Sequence, residues 1–141
     1  MQTKSLLAVL ILVLSTLIIH AQDCAEKDAY TPARGTDERK AILDALREKM
    51  YKIHQIKVNF VVNYMKVYDG WAWLHTHPKD ANGPNRYEDI LALIHKEEGA
   101  WIILEIPCGE EDNPDCITSE NYYQGLISRH PGLPACILPI N

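Results

Sequence analysis

Two histidines separated by one residue, His75 and His77, are the side chains in this chain best placed to do chemistry. On a β-strand, positions i and i+2 project from the same face, close enough for two imidazoles to share one metal ion or one proton-transfer partner. Tyr64, Trp71 and Trp73 accompany them in the same stretch. The chemistries open to such a group are zinc coordination, acid–base work with a partnering carboxylate, or recognition of an apolar ligand by an aromatic wall. The residues place no partnered acid beside the pair. The reading they favour is that His75 and His77 complete an aromatic face, hydrogen-bonded locally or at its wet rim.

Residues 57–78 must position these side chains. Two alternating segments flank Asp69-Gly70, the strongest short-range signal for a β-hairpin. With that two-residue turn, residues whose numbers sum to 139 lie opposite each other. One face then carries Val61, Asn63, Met65 and Val67 against Pro78, Thr76, Leu74 and Ala72. The other carries Val62, Tyr64, Lys66 and Tyr68 against His77, His75, Trp73 and Trp71. Tyr64, Trp71, Trp73, His75 and His77 are therefore the candidate ligand-binding residues.

Around the hairpin the periodicity changes. Thr36 reads as a helix N-cap, followed by Asp37 and Glu38 in the first turn, and Ile42, Leu46, Met50 and Ile53 form one apolar stripe. After a turn-rich loop at 79–86, residues 90–94 (ILALI) read as a strand buried on both faces. Glu97-Glu98-Gly99 makes a second hairpin turn into a fourth strand at 101–106, which Pro107 ends. Thr118 caps a short second helix to Arg129, with Tyr122, Leu126 and Ile127 facing inward. The expected fold is α+β, with a long helix lying across a curved four-stranded antiparallel meander and a short C-terminal helix.

Residues 1–21 read as a signal peptide: Lys4 precedes an apolar run at 6–19 too short to span a bilayer comfortably. Residues 22–141 form a single domain, for which the expected location is secreted or periplasmic. Setting Lys4 aside leaves 13 basic residues against 19 acidic, a formal charge of −6 with no basic cluster. That excludes nucleic acid as a partner. The mature form has no membrane span and calls for no cofactor. The acidic cluster Glu110, Glu111 and Asp112 lacks the alternating ligands of a calcium loop.

All four cysteines fall in the exported part, which argues for two disulfides. Three connectivities are open, and Cys108–Cys116 with Cys24–Cys136 is the favoured one. The first closes a short acidic loop and the second ties the chain's ends.

The string GWAWLHTHP resembles the JAMM zinc metalloproteases, whose strand also ends in His-x-His-Pro. The resemblance implies a zinc site of His75, His77 and a carboxylate ten residues past Pro78, which is Glu88, with Asp89 beside it. Asn85 stands where that family has serine, and the upstream Glu38 and Glu48 fall on the predicted helix. Over most of residues 33–140 the chain is also similar to small exported bacterial proteins described as NTF2-like or cystatin-like. The marks are a capped helix, the Gly70-Trp71-Ala72 turn, the Gly99-x-Trp101 turn and the Cys-x7-Cys loop. This resemblance implies a cone-like α+β roll and carries over no catalytic residue. The leading expectation is an exported, non-enzymatic domain that binds a small ligand or a protein. The alternatives are a zinc-dependent hydrolase using His75 and His77, and an inhibitor of an exported hydrolase acting through the 79–86 loop.

Overall fold

A computed structural model describes residues 24–84, 87–108, 116–117 and 121–140. The signal segment, Asn85, Arg86, the acidic cluster at 110–112 and the Thr118 cap lie outside the described residues.

Helix α1 (Asp37–His54) begins where Thr36 accepts a hydrogen bond from the Arg39 N–H, 3.4 Å away. It ends at Gln55, whose left-handed backbone returns an N–H to the Tyr51 carbonyl. Lys40–Asp44 and Glu48–Lys52 ion pairs run along its exposed side at i,i+4 spacing. Ile42, Leu43, Leu46 and Met50 are buried against the sheet. Full burial of one such side chain stabilises by about 1.5–3 kcal/mol. Ile53 does not continue the stripe: it is 52% exposed, on the helix's last turn beyond the sheet.

Strands β1 (Val58–Tyr68), β2 (Trp71–Asp80), β3 (Ile90–Glu97) and β4 (Ala100–Glu105) form one open antiparallel sheet in the order β1-β2-β3-β4. Asp69 and Gly70 carry φ of 45° and 76°, the paired positive values of the expected two-residue turn. The second turn is one residue tighter than expected, with Glu97 still in β3 and Glu98 and Gly99 at 49° and 85°. From the first turn back to Tyr64 the pairing is the expected one, Tyr68 opposite Trp71 and Tyr64 opposite His75.

Beyond that the register is corrected. An extra residue, Asn63, bulges between Val62 and Tyr64, so Val62 lies opposite Thr76, Val61 opposite His77 and Phe60 opposite Pro78. A bulge re-phases a strand, exchanging its faces. Val62 and Phe60 thus pack on the helix side. Val61, opposite His77, is 44% exposed.

Both faces of the sheet are covered. Beneath α1 lies one core of Met65, Val67, Ala72, Leu74, Ala92 and Ile94 with the helix stripe. On the other face Trp73 and Leu93 meet Tyr122 and Leu126 of α2 (Tyr122–Arg129), together with Leu133, Ile137 and Leu138 of the tail. Ala92, Leu93 and Ile94 are consecutive and all wholly buried, as a strand sandwiched on both faces requires.

The disulfides are Cys24–Cys136 and Cys108–Cys116, with Cα separations of 5.6 and 4.8 Å. These are the pairs favoured from spacing. Two disulfides fit an extracellular or otherwise oxidising compartment. No helix among the described residues is long and apolar enough to cross a membrane.

Candidate functional site

The five aromatic and imidazole candidates separate into two environments. Trp73 is 0% exposed and lies edge-on to Tyr123, with ring centroids 5.8 Å apart. The Tyr64 hydroxyl donates to the Ile137 carbonyl at 3.1 Å, fastening β1 to the tail. Trp71 is half-buried, and its ring sits 4.2 Å from that of His95. The aromatic face is therefore packed beneath α2 and the tail along most of its length. The periodicity of β2 places Trp73 on that face but carries no information about what folds over it.

His75 and His77 lie further along β2, where the cover ends. His75 Nε2 is 2.7 Å from Asp89 Oδ2, and His77 Nδ1 is 2.7 Å from Asp89 Oδ1. One carboxylate bridges both rings. The β2–β3 register explains why: Thr76 pairs with Ile90 and His75 with Leu91, so the same alternation sets Asp89 across from His77. Extending the predicted third strand back by one residue would have found it. Glu88, the carboxylate implied by the metalloprotease resemblance, has the opposite parity and lines a cleft at the start of β3 that Asp89 also borders. Among the described residues, no group of three or more His, Cys, Asp or Glu side chains is arranged to hold a metal ion.

A carboxylate can only accept, so each ring donates an N–H to Asp89. Hydrogen bonds from His77 and then His75 hold the Asp89 carboxyl below the usual carboxylate range, against a smaller opposing effect of burial. Neutral His77 then carries its proton on Nδ1 and leaves Nε2 as an acceptor. This is the orientation in which a carboxylate poises an imidazole as a base. Thr76, between the two histidines, is buried, with its hydroxyl directed to the Ile90 carbonyl.

The lowered Asp89 pKa fixes the sign of a pH effect. Its stabilising contribution is present above the unfolded carboxylate value, near 3.9, and is lost as pH falls through the lower folded value. The carboxylate is 42% exposed, so solvent screens the contribution. Asp89→Asn should therefore lower stability modestly at neutral pH, where the contribution is present, and make little difference below the folded value, which flattens the acid side of the stability–pH profile. An NMR titration of the Asp89 carboxyl with a midpoint at or above 3.9 would contradict the bridge.

A second carboxylate cluster joins β4 to α2. Glu105 accepts from the Tyr122 hydroxyl at 3.0 Å, from Arg129 Nη2 at 2.6 Å and from His130 Nε2 at 3.0 Å. Burial pushes the Glu105 pKa up, and these hydrogen bonds together outweigh it, leaving a net lowering. Nothing in the spacing of Glu105, Tyr122 and His130 announces this cluster, because α2 docks through a segment with no fixed phase to β4.

A hollow of about 470 Å³ lies between the end of α1 and the start of β3. Met50, Ile56, Ile90 and Ile106 supply apolar walls, and His54, Tyr87, Glu88 and Asp89 supply polar groups. Comparison with known proteins returns no matching family model, no similar characterised protein and no similar solved structure.

Proposed function

We propose that the chain is an exported, non-enzymatic binding domain that takes a small ligand with an apolar body and a basic group. The cleft between α1 and β3 carries this reading. Its volume of about 470 Å³ lies within the roughly 300–1,000 Å³ of small-molecule sites, and its walls are mainly apolar with few polar groups. The polarity at the cleft is negative. Glu88 and Asp89 contribute carboxylates, and the C-terminal end of α1 adds the negative pole of the helix dipole. A cationic head therefore gains where an anionic one is repelled. The NTF2-like or cystatin-like roll is the architecture we propose for the domain, in keeping with a helix laid across one face of an antiparallel sheet. The signal segment and the two disulfides support export.

Hexylammonium, hexanol and hexanoate test the reading, with methyl NMR shifts as readout. Hexylammonium should shift Ile56, Ile90 and Ile106 at the lowest concentration and hexanoate at the highest. Glu88→Gln should weaken hexylammonium by up to about fivefold, the upper range for an exposed ion pair. Equal binding of hexanoate, or shifts confined to residues outside the cleft, would overturn the proposal.

A further inference from the structure

The margin of the sheet formed by β1 is closed along one half and open along the other. Near the turn, Tyr30 exchanges two main-chain hydrogen bonds with Val67, at 3.0 and 2.8 Å, and the Thr31 hydroxyl donates to the Met65 carbonyl at 2.7 Å. Val67 and Met65 have their side chains under α1, so on this strand the residues facing α1 turn their N–H and C=O groups outward. The bulge at Asn63 shifts the alternation by one. Beyond it the α1-facing residues are Val62, Phe60 and Val58. Their main-chain groups point away from β2, along a margin that no main-chain hydrogen bond reaches from outside among the described residues.

Alongside that open half lies a trough, because α1 packs closer to β4 than to β1. Two hollows of about 340 and 370 Å³ occupy it. Leu43 and Phe60 give the trough an apolar lining, while Arg34, Arg39, Arg47 and Lys57 are its cations. Two of these have local partners that fix the surroundings. Arg39 donates to the Pro32 carbonyl, and Arg47 binds Asp44 and lies over the Phe60 ring. The carboxylate that also lines the trough, Glu48, is paired with Lys52. In a chain of net charge −5, this is a locally basic strip beside an unfilled strand position.

We propose that the Val58–Val62 margin takes up an extended acidic peptide as a fifth strand. Unmet main-chain donors and acceptors supply the pairing, and alternate side chains of the added strand divide between the apolar trough and the arginines. Five residues at about 3.3 Å each set a contact roughly 17 Å long. A second copy of this chain fits less well, since a two-fold contact across this margin brings Arg34 and Arg39 against their own counterparts. Ile56 lines both this trough and the cleft between α1 and β3, but the strand margin and the arginines lie outside that cleft, and the site stands whether or not the cleft binds a ligand.

The probe is the blocked peptide Glu-Val-Glu-Val-Glu, with Lys-Val-Lys-Val-Lys as its counterpart, titrated into the full mature chain. The acidic peptide should slow amide exchange at Phe60 and Val62 and lose affinity as salt is raised. Arg34→Glu should weaken it at least tenfold. Val62→Pro removes an outward N–H at a sheet margin, where proline is tolerated, and should abolish binding without lowering the melting temperature greatly. If that variant does not fold, Arg34→Glu, on an exposed residue, decides alone. Equal binding of the lysine peptide, protection on β4 in place of β1, no binding at millimolar peptide, or dimerisation of the chain through this margin would each overturn the proposal.

Discussion

Replacing Cys24 and Cys136 together by serine should lower stability by about 4–5 kcal/mol, the largest loss expected from breaking either cross-link. These cysteines are 112 residues apart, and in the chain-entropy account a loop of that size removes ~4.8 kcal/mol of denatured-state freedom. The Cys108–Cys116 link closes a separation of only 8 residues, for which the same account gives ~2.5 kcal/mol. A domain of this size has roughly 5–15 kcal/mol in all, so the first loss brings it near its unfolding threshold. The tether also holds the lead-in segment on which the Tyr30–Val67 pairing depends. Urea denaturation of the two double variants, compared at equal m-value, checks the order. A greater loss from the short loop would show that native contacts, not chain entropy, set the effect.

Trp73→Ala should cost about 3–5 kcal/mol, because it empties a large, fully buried position on β2 beneath α2 and the tail. Trp73→Phe should cost far less, on the order of 1 kcal/mol. The reason lies in one atom. The Trp73 Nε1–H is buried with no hydrogen-bond partner among the described residues. A buried donor without a partner costs about 1–3 kcal/mol, so deleting it offsets part of the lost packing. Equilibrium unfolding of the two variants separates packing from hydrogen bonding. If phenylalanine proves as damaging as alanine, the indole N–H has a partner in solution.

Local physics made much of the fold readable. Asp69-Gly70 requires positive φ at both positions, and few other dipeptides accept it, so the turn and its first five residue pairs follow from two letters. The same holds for Thr36, whose hydroxyl meets the Arg39 N–H, and for the alternation that places Trp73 and Leu74 on opposite faces. The bulge at Asn63 was not readable, since VVNY alternates acceptably with or without an extra residue. The error it produced was confined to residues before it, where Val61 and Val62 exchange faces.

The candidate site was readable only in part. His75 and His77 were identifiable by type and spacing, but their partner depends on where β3 begins. A boundary one residue early or late decides between Asp89 and Glu88. The cover over Trp73 depends on how residues 121–140 return to the sheet, a long-range event with no periodic signature. Glu105 meets Tyr122, Arg129 and His130 for the same long-range reason.

The sheet order has a kinetic consequence. Every strand pairs only with its neighbours in the chain, so the four strands can zip from two tight turns with short loops to close. The slow contacts are those that join the beginning of the chain to its end, where residues 24–30 and 133–138 come together on the outer face of the hairpin. Until residues 121–138 are available, the cover over Trp73 and Leu93 is incomplete, and Cys24 has no native thiol to meet before Cys136. Folding therefore proceeds with its hairpins ahead of its lid. Oxidation of Cys24 with Cys136 records completion, trapping the last-formed contacts after the rest of the chain is already in register.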